Sequence, residues 1–226
     1  MNRQDKITLF GFLFIQSIIY ILLLLYSHQE IFSYLAYAGI LFCFCASLLW
    51  KKPFPHRYLI SIALFGTLLA DLILLFFIEY RLLAMFFFSL VQLAYGAFLF
   101  LIKDRKSFFS LIVRILCILI LEMIGLMILK DRFDLLVGVS LFYFSNLLCN
   151  GFLALFQKRW MLAAGFTLFL CCDMLIGISE MRMMNLLSAQ SIWYQVFDLP
   201  VNIFWVFYLP SQVILAASVL FLKKKV

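Results

Sequence analysis

The sequence predicts an all-α, polytopic transmembrane helix bundle of about eight spans, both termini cytoplasmic, forming a single domain over residues 1–226. Three observations carry this expectation. Of the 226 residues, 67% are hydrophobic and 13% charged, whereas a soluble domain carries roughly half apolar and a quarter charged residues. Apolar runs recur from the first ten residues to the last ten and leave no polar stretch long enough for a soluble domain. When those runs are threaded alternately through a bilayer, thirteen of the 18 Lys and Arg fall on one side.

A helix needs about 20 apolar residues to cross a hydrocarbon core roughly 30 Å thick. Segments of that kind lie at 7–26, 31–50, 58–78, 82–102, 107–129, 134–156, 160–179 and 201–222. Each must satisfy its own backbone hydrogen bonds in lipid, so helical hairpins follow. Short polar breaks separate them, such as Ser27-His28-Gln29-Glu30, Lys103-Asp104-Arg105-Lys106 and Gln157-Lys158-Arg159. The run after Lys6 is too long for the apolar core of a signal peptide and is read as the first span. The opposite side holds only Arg81, Lys130, Arg132 and Arg182, so the positive-inside rule orients the chain. Arg114, seven residues into the fifth span, is expected to snorkel to the cytoplasmic interface.

One connection differs. Residues 180–200 mix Met181, Met183, Met184, Ile192, Trp193 and Phe197 with polar residues. They are expected to form either an amphipathic helix on the outer surface, with Trp193 and Tyr194 at headgroup level, or a partly ordered loop. A weak parallel repeat of two four-helix halves relates Gly66, Asp71, Gln92 and Tyr95 to Gly165, Asp173, Tyr208 and Gln212. The six cysteines all lie inside apolar runs and read as packing residues. The net charge of +7 sits in clusters between spans rather than on one continuous face, which argues against nucleic acid.

Three carboxylates fall within spans: Asp71, Glu122 and Asp173. Each is costly in hydrocarbon, about 2.5 to 3.5 kcal/mol on insertion scales, and asks for a partner or a purpose. With about 1.5 Å of rise per residue, all three lie roughly 5 Å beyond midplane toward the outside. Tyr208 joins that layer, and Gln212, Gln92, Tyr95 and Asn146 lie at or just below midplane. A polar pocket between helices, open toward the outer leaflet, is the expectation. Such residues also serve to bond helices together, at around 0.6 kcal/mol per contact.

With those residues placed, the chain resembles the YhhN family of membrane proteins. The resemblance rests on Lys52-Pro53, the run Gly66-Thr67-Leu68-Leu69-Ala70-Asp71, the run from Phe88 to Tyr95, the run from Gly165 to Asp173, and Phe207-Tyr208-Leu209-Pro210-Ser211-Gln212. The chain departs from the family pattern at Ala70, Gln92 and Cys172, where Gly, His and Ser are usual. The resemblance implies a lysoplasmalogenase: hydrolysis of the vinyl ether of a lysophospholipid to a fatty aldehyde, without metal or other cofactor, in the plasma membrane of a bacterium. It implies Asp71 and Asp173 as catalytic groups, with Tyr208, Gln212, Gln92, Tyr95 and Lys52, which lie in the matching runs, as binding or supporting residues; Asn146 and Glu122 join them by depth alone, and Glu122, without a family counterpart, is expected to bond a neighbouring helix or a water.

A vinyl ether is cleaved by protonating its β-carbon, which leaves an oxocarbenium ion for water to attack. That chemistry needs one acid and one anion, as paired carboxyl groups provide in glycosidases. Which aspartate plays which part stays open. Other classes fit less well. Two histidines, His28 and His56, in loops on opposite faces make a poor zinc site. The Gly-x-Gly-Asp motif of intramembrane aspartyl proteases and the Gly-x-Ser-Gly of rhomboids are absent. A proton-coupled transporter or a non-catalytic lipid-binding protein would also place carboxylates midway across.

Overall fold

A computed structural model describes residues 3–26, 30–50, 54–102, 108–186, 188, 190–198 and 202–222. All regular structure among them is helical. Eight long helices follow the apolar segments: α1 (Arg3–Leu25), α2 (Glu30–Leu49), α3 (Tyr58–Phe76), α4 (Arg81–Leu101), α5 (Phe108–Leu129), α6 (Leu135–Phe156), α7 (Trp160–Met183) and α9 (Ile203–Phe221), with a short α8 (Ile192–Gln195) between the last two. Seven of the long helices are long and apolar enough to cross a membrane, and Ser33–Leu49 within α2 is a shorter apolar stretch. Polar residues set several ends. Asp134 accepts a hydrogen bond from the Val137 amide at the start of α6, and Asn202 does the same for Phe204 in α9.

The helices form a bundle in which α7 packs most extensively on α9, α3 on α4, and α4 on α6. Small residues make the close approaches, as they do where lipid supplies no hydrophobic drive between helices. A Cβ placed on Gly66 would lie 2.7 Å from Val91 Cγ2, and one on Gly165 would lie 2.7 Å from Leu215 Cγ. Both glycines precede an aspartate on the same helix. The peripheral α5 packs chiefly on α6.

Pro210 interrupts the hydrogen-bond ladder of α9. Lacking an N–H, it leaves the Val206 carbonyl without its usual donor. The Tyr20 hydroxyl of α1 donates to that carbonyl at 3.3 Å. Tyr20→Phe is therefore expected to cost about 1 kcal/mol, read as a lowered midpoint of thermal unfolding in detergent; an unchanged midpoint would show that the carbonyl has another donor.

The segment after α7 is neither of the simple forms expected. Helix α7 runs on to Met183, four residues past the predicted end of the span at 179. Ile192–Gln195 then forms one helical turn continued by the 3-10 turn Val196–Asp198, with Trp193 exposed; residues 187, 189 and 199–201 lie outside the described residues. Two arginines fasten this end. Arg182 stacks over the Tyr194 ring at 4.0 Å and donates to the Tyr194 carbonyl, while Arg132 donates to the Met184 carbonyl.

Candidate functional site

Asp71 projects from α3 and Asp173 from α7, and both residues are half-buried. The Tyr208 hydroxyl of α9 donates to the Asp71 carboxylate and lies 2.7 Å from each of its oxygens. The Tyr143 hydroxyl of α6 donates to Asp173 Oδ2. Tyr208 and Tyr143 both meet the ring of Phe169, at 5.5 and 6.2 Å between centroids, which gathers the two carboxyl groups they serve around one ring. Four helices thus converge on one acidic centre.

Aromatic packing fixes the two tyrosines. The Phe169 ring, one helical turn before Asp173, meets the edges of Tyr208 at 5.5 Å and Tyr143 at 6.2 Å. Phe88 backs Tyr143 at 5.5 Å and Trp205 backs Tyr208 at 5.8 Å. These contacts, edge-to-face except for the tilted Phe88–Tyr143 pair, pack each tyrosine between rings, with its hydroxyl on its carboxylate. Tyr95 of α4 does not join them: its ring meets Phe166 at 5.1 Å and its hydroxyl has no hydrogen-bond partner among the described residues.

The remaining candidates do not gather around the aspartates. Gln92 is fully buried and accepts from Asn150 Nδ2 at its backbone carbonyl (2.8 Å) and at Oε1 (3.0 Å). Asn146 accepts from Arg114 and donates to the Phe142 carbonyl. Gln212 donates to Ser211 Oγ at 3.2 Å. Glu122 lies on α5, beside Gly138 of α6, and has no hydrogen-bond partner among the described residues. Lys52 lies outside the described residues. The single pocket expected from depth alone is therefore two clusters: Asp71, Asp173, Tyr143 and Tyr208 in one, and Gln92, Asn146, Asn150 and Arg114 in the other.

Arg114 does not snorkel. Its guanidinium turns inward and donates to Asn146 Oδ1 at 3.0 Å and Asn150 Oδ1 at 2.7 Å. It lies against Gly96 of α4, where a Cβ would be 2.5 Å from Nη1. Two amide acceptors in the helix interface outcompete the distant surface because an Arg stem of this length reaches α6 more readily than the end of its own helix.

Tyr143 and Asn150 were not among the sequence candidates. The signal for them is their spacing: Tyr143, Asn146 and Asn150 recur at i, i+3 and i+7, which puts all three along one side of α6. Among the described residues, no three His, Cys, Asp or Glu side chains gather in a way that would hold a metal ion. The acidic centre offers groups for proton chemistry: two carboxyl groups, each accepting from a phenol. Comparison with family models, with curated proteins and with solved structures finds no match to this chain.

Proposed function

We propose that this protein is a membrane hydrolase of the YhhN type that cleaves the vinyl ether of a lysoplasmalogen or related lysolipid by aspartate acid/base catalysis, releasing a fatty aldehyde. The observation that carries the proposal is the pairing of Asp71 with Tyr208 and of Asp173 with Tyr143 at one centre. Two carboxyl groups gathered at one centre in apolar surroundings disfavour the doubly charged form, so one protonated and one ionised member would supply an acid and an anion. The Tyr208 hydroxyl lies within hydrogen-bonding distance of both oxygens of Asp71, which suits that group to the anionic role. Asp173 keeps Oδ1 without a partner among the described residues, which suits it to hold the proton.

In the proposed reaction the Asp173 proton passes to the β-carbon of the vinyl ether. The resulting oxocarbenium ion lies against Asp71, which then takes a proton from the attacking water. The hemiacetal collapses to the aldehyde as its hydroxyl proton passes to the departing oxygen of the glycerophospho-alcohol, and the water proton held by Asp71 passes to Asp173 to restore the pair. In this reading the chain crosses the plasma membrane of a bacterium eight times with both termini cytoplasmic, and a single-chain lipid enters the centre sideways with its tail in hydrocarbon.

Purified protein in detergent is expected to release aldehyde from a vinyl-ether lysolipid. A transporter needs two compartments and would release none, so this assay separates the two classes. Tyr208→Phe is expected to lower kcat on the order of 100-fold by removing the donor that steadies the anion, and Tyr143→Phe about tenfold. Steady-state rates on the two variants check the order, and a larger loss at Tyr143 would exchange the roles of the aspartates.

A further inference from the structure

The cluster built on Arg114 takes no part in the chemistry above. Arg114 lies within α5, about 9 Å from its first residue, and its guanidinium rests against Gly96 of α4, where a Cβ would be 2.5 Å from Nη1 and 3.0 Å from Nη2. It donates to Asn146 Oδ1 at 3.0 Å and to Asn150 Oδ1 at 2.7 Å. Both partners are neutral and wholly buried, and no carboxylate pairs with the arginine among the described residues. A guanidinium has five N–H donors, so donors remain after the two amides are served.

A second donor in the same cluster is left over. Gln92 of α4 is wholly buried, and its Nε2 has no hydrogen-bond partner among the described residues. Its Oε1 accepts from Asn150 Nδ2 at 3.0 Å, while Asn150 Oδ1 accepts from Arg114. One amide is thus shared between Gln92 and the guanidinium. Gln92 also lies one turn before Gly96 on the same side of α4, so it is the next residue along the helix surface that the guanidinium touches. The side-chain oxygens of Gln92, Asn146 and Asn150 are all engaged. What remains is a surplus of N–H groups and one positive charge. Unmade donors and an uncompensated cation are both costly in apolar surroundings, and a negatively charged acceptor answers both.

We propose that Arg114 and the Gln92 Nε2 bind one small monovalent anion, chloride, between α4, α5 and α6. The packing selects a single-atom ion over an oxyanion: α4 on α6 is among the most extensive contacts of the bundle, and Gln92, Asn146 and Asn150 are wholly buried. Arg114 itself is half-buried, which leaves the ion a way in. Water in the same place would satisfy the donors but not the charge.

The test is thermal unfolding of the full chain in a neutral detergent, with chloride exchanged for gluconate at constant ionic strength. Chloride at saturation is expected to raise the midpoint by about 5 °C, and bromide to replace it. Gln92→Glu puts a carboxylate into the cluster and is expected to remove the dependence on chloride while the protein stays folded in gluconate. Arg114→Gln removes the charge and is expected to remove the dependence too; if it unfolds, the wild type and Gln92→Glu still decide. A wild-type midpoint indifferent to chloride, as bound water would give, would overturn the proposal. So would a chloride shift that Gln92→Glu leaves undiminished, as a general salt effect would give.

Discussion

Asp71→Asn and Asp173→Asn are each expected to lower aldehyde release from a vinyl-ether lysolipid on the order of 10³-fold, the scale of a lost general acid or its charged partner. The substitution is nearly isosteric and keeps an oxygen to accept from Tyr208 or Tyr143, so packing around Phe169 is preserved while the proton or the charge is removed. Circular dichroism and elution volume are expected to stay unchanged. Release at the wild-type rate from both variants would remove the aspartates from the mechanism. Because the two groups work as a pair, the double variant is expected to be no slower than the poorer single one.

The largest structural effect is expected at Gly165. A Cβ there would meet Leu215 Cγ at 2.7 Å and Cδ2 at 2.8 Å, with the Leu215 backbone nitrogen 3.4 Å away, in the most extensive helix contact of the bundle. Leu215 is fully buried. Gly165→Ala is therefore expected to destabilise by about 1–3 kcal/mol through overpacking. Pairing it with Leu215→Ala makes room for the new methyl group, so the double variant is expected to be more stable than the sum of the single losses predicts. Thermal unfolding in detergent measures the cycle, and strictly additive losses would contradict the close contact. The same change should reach the site, since α7 carries Asp173 and α9 carries Tyr208.

The helices were legible because lipid leaves the chain so few choices: long apolar runs and polar breaks place all eight long helices within a few residues. The end of α7 was not, because Ser179 to Met183 continues a helical turn after the apolar run has ended and hydropathy cannot distinguish the two. Asp71, Asp173 and Tyr208 were legible at the site by residue type and depth. Tyr143 was missed, since depth says how far along a helix a residue lies but not which neighbour its side chain faces. The same blindness assigned Asn146 to the aspartates and Arg114 to the interface, when the two bond to each other. Rotation about the helix axis is set by packing, here by glycines such as Gly96 that let the guanidinium close on α4.

The central claim, that a carboxyl group at this centre protonates the β-carbon of a vinyl ether, is tested most directly by running the reaction in deuterium oxide and weighing the aldehyde. Proton transfer to carbon predicts one deuterium at carbon 2 of the released aldehyde, present with wild-type protein and accompanied by a slowed rate. Aldehyde carrying no deuterium, or none formed from the vinyl-ether lysolipid at all, would contradict it.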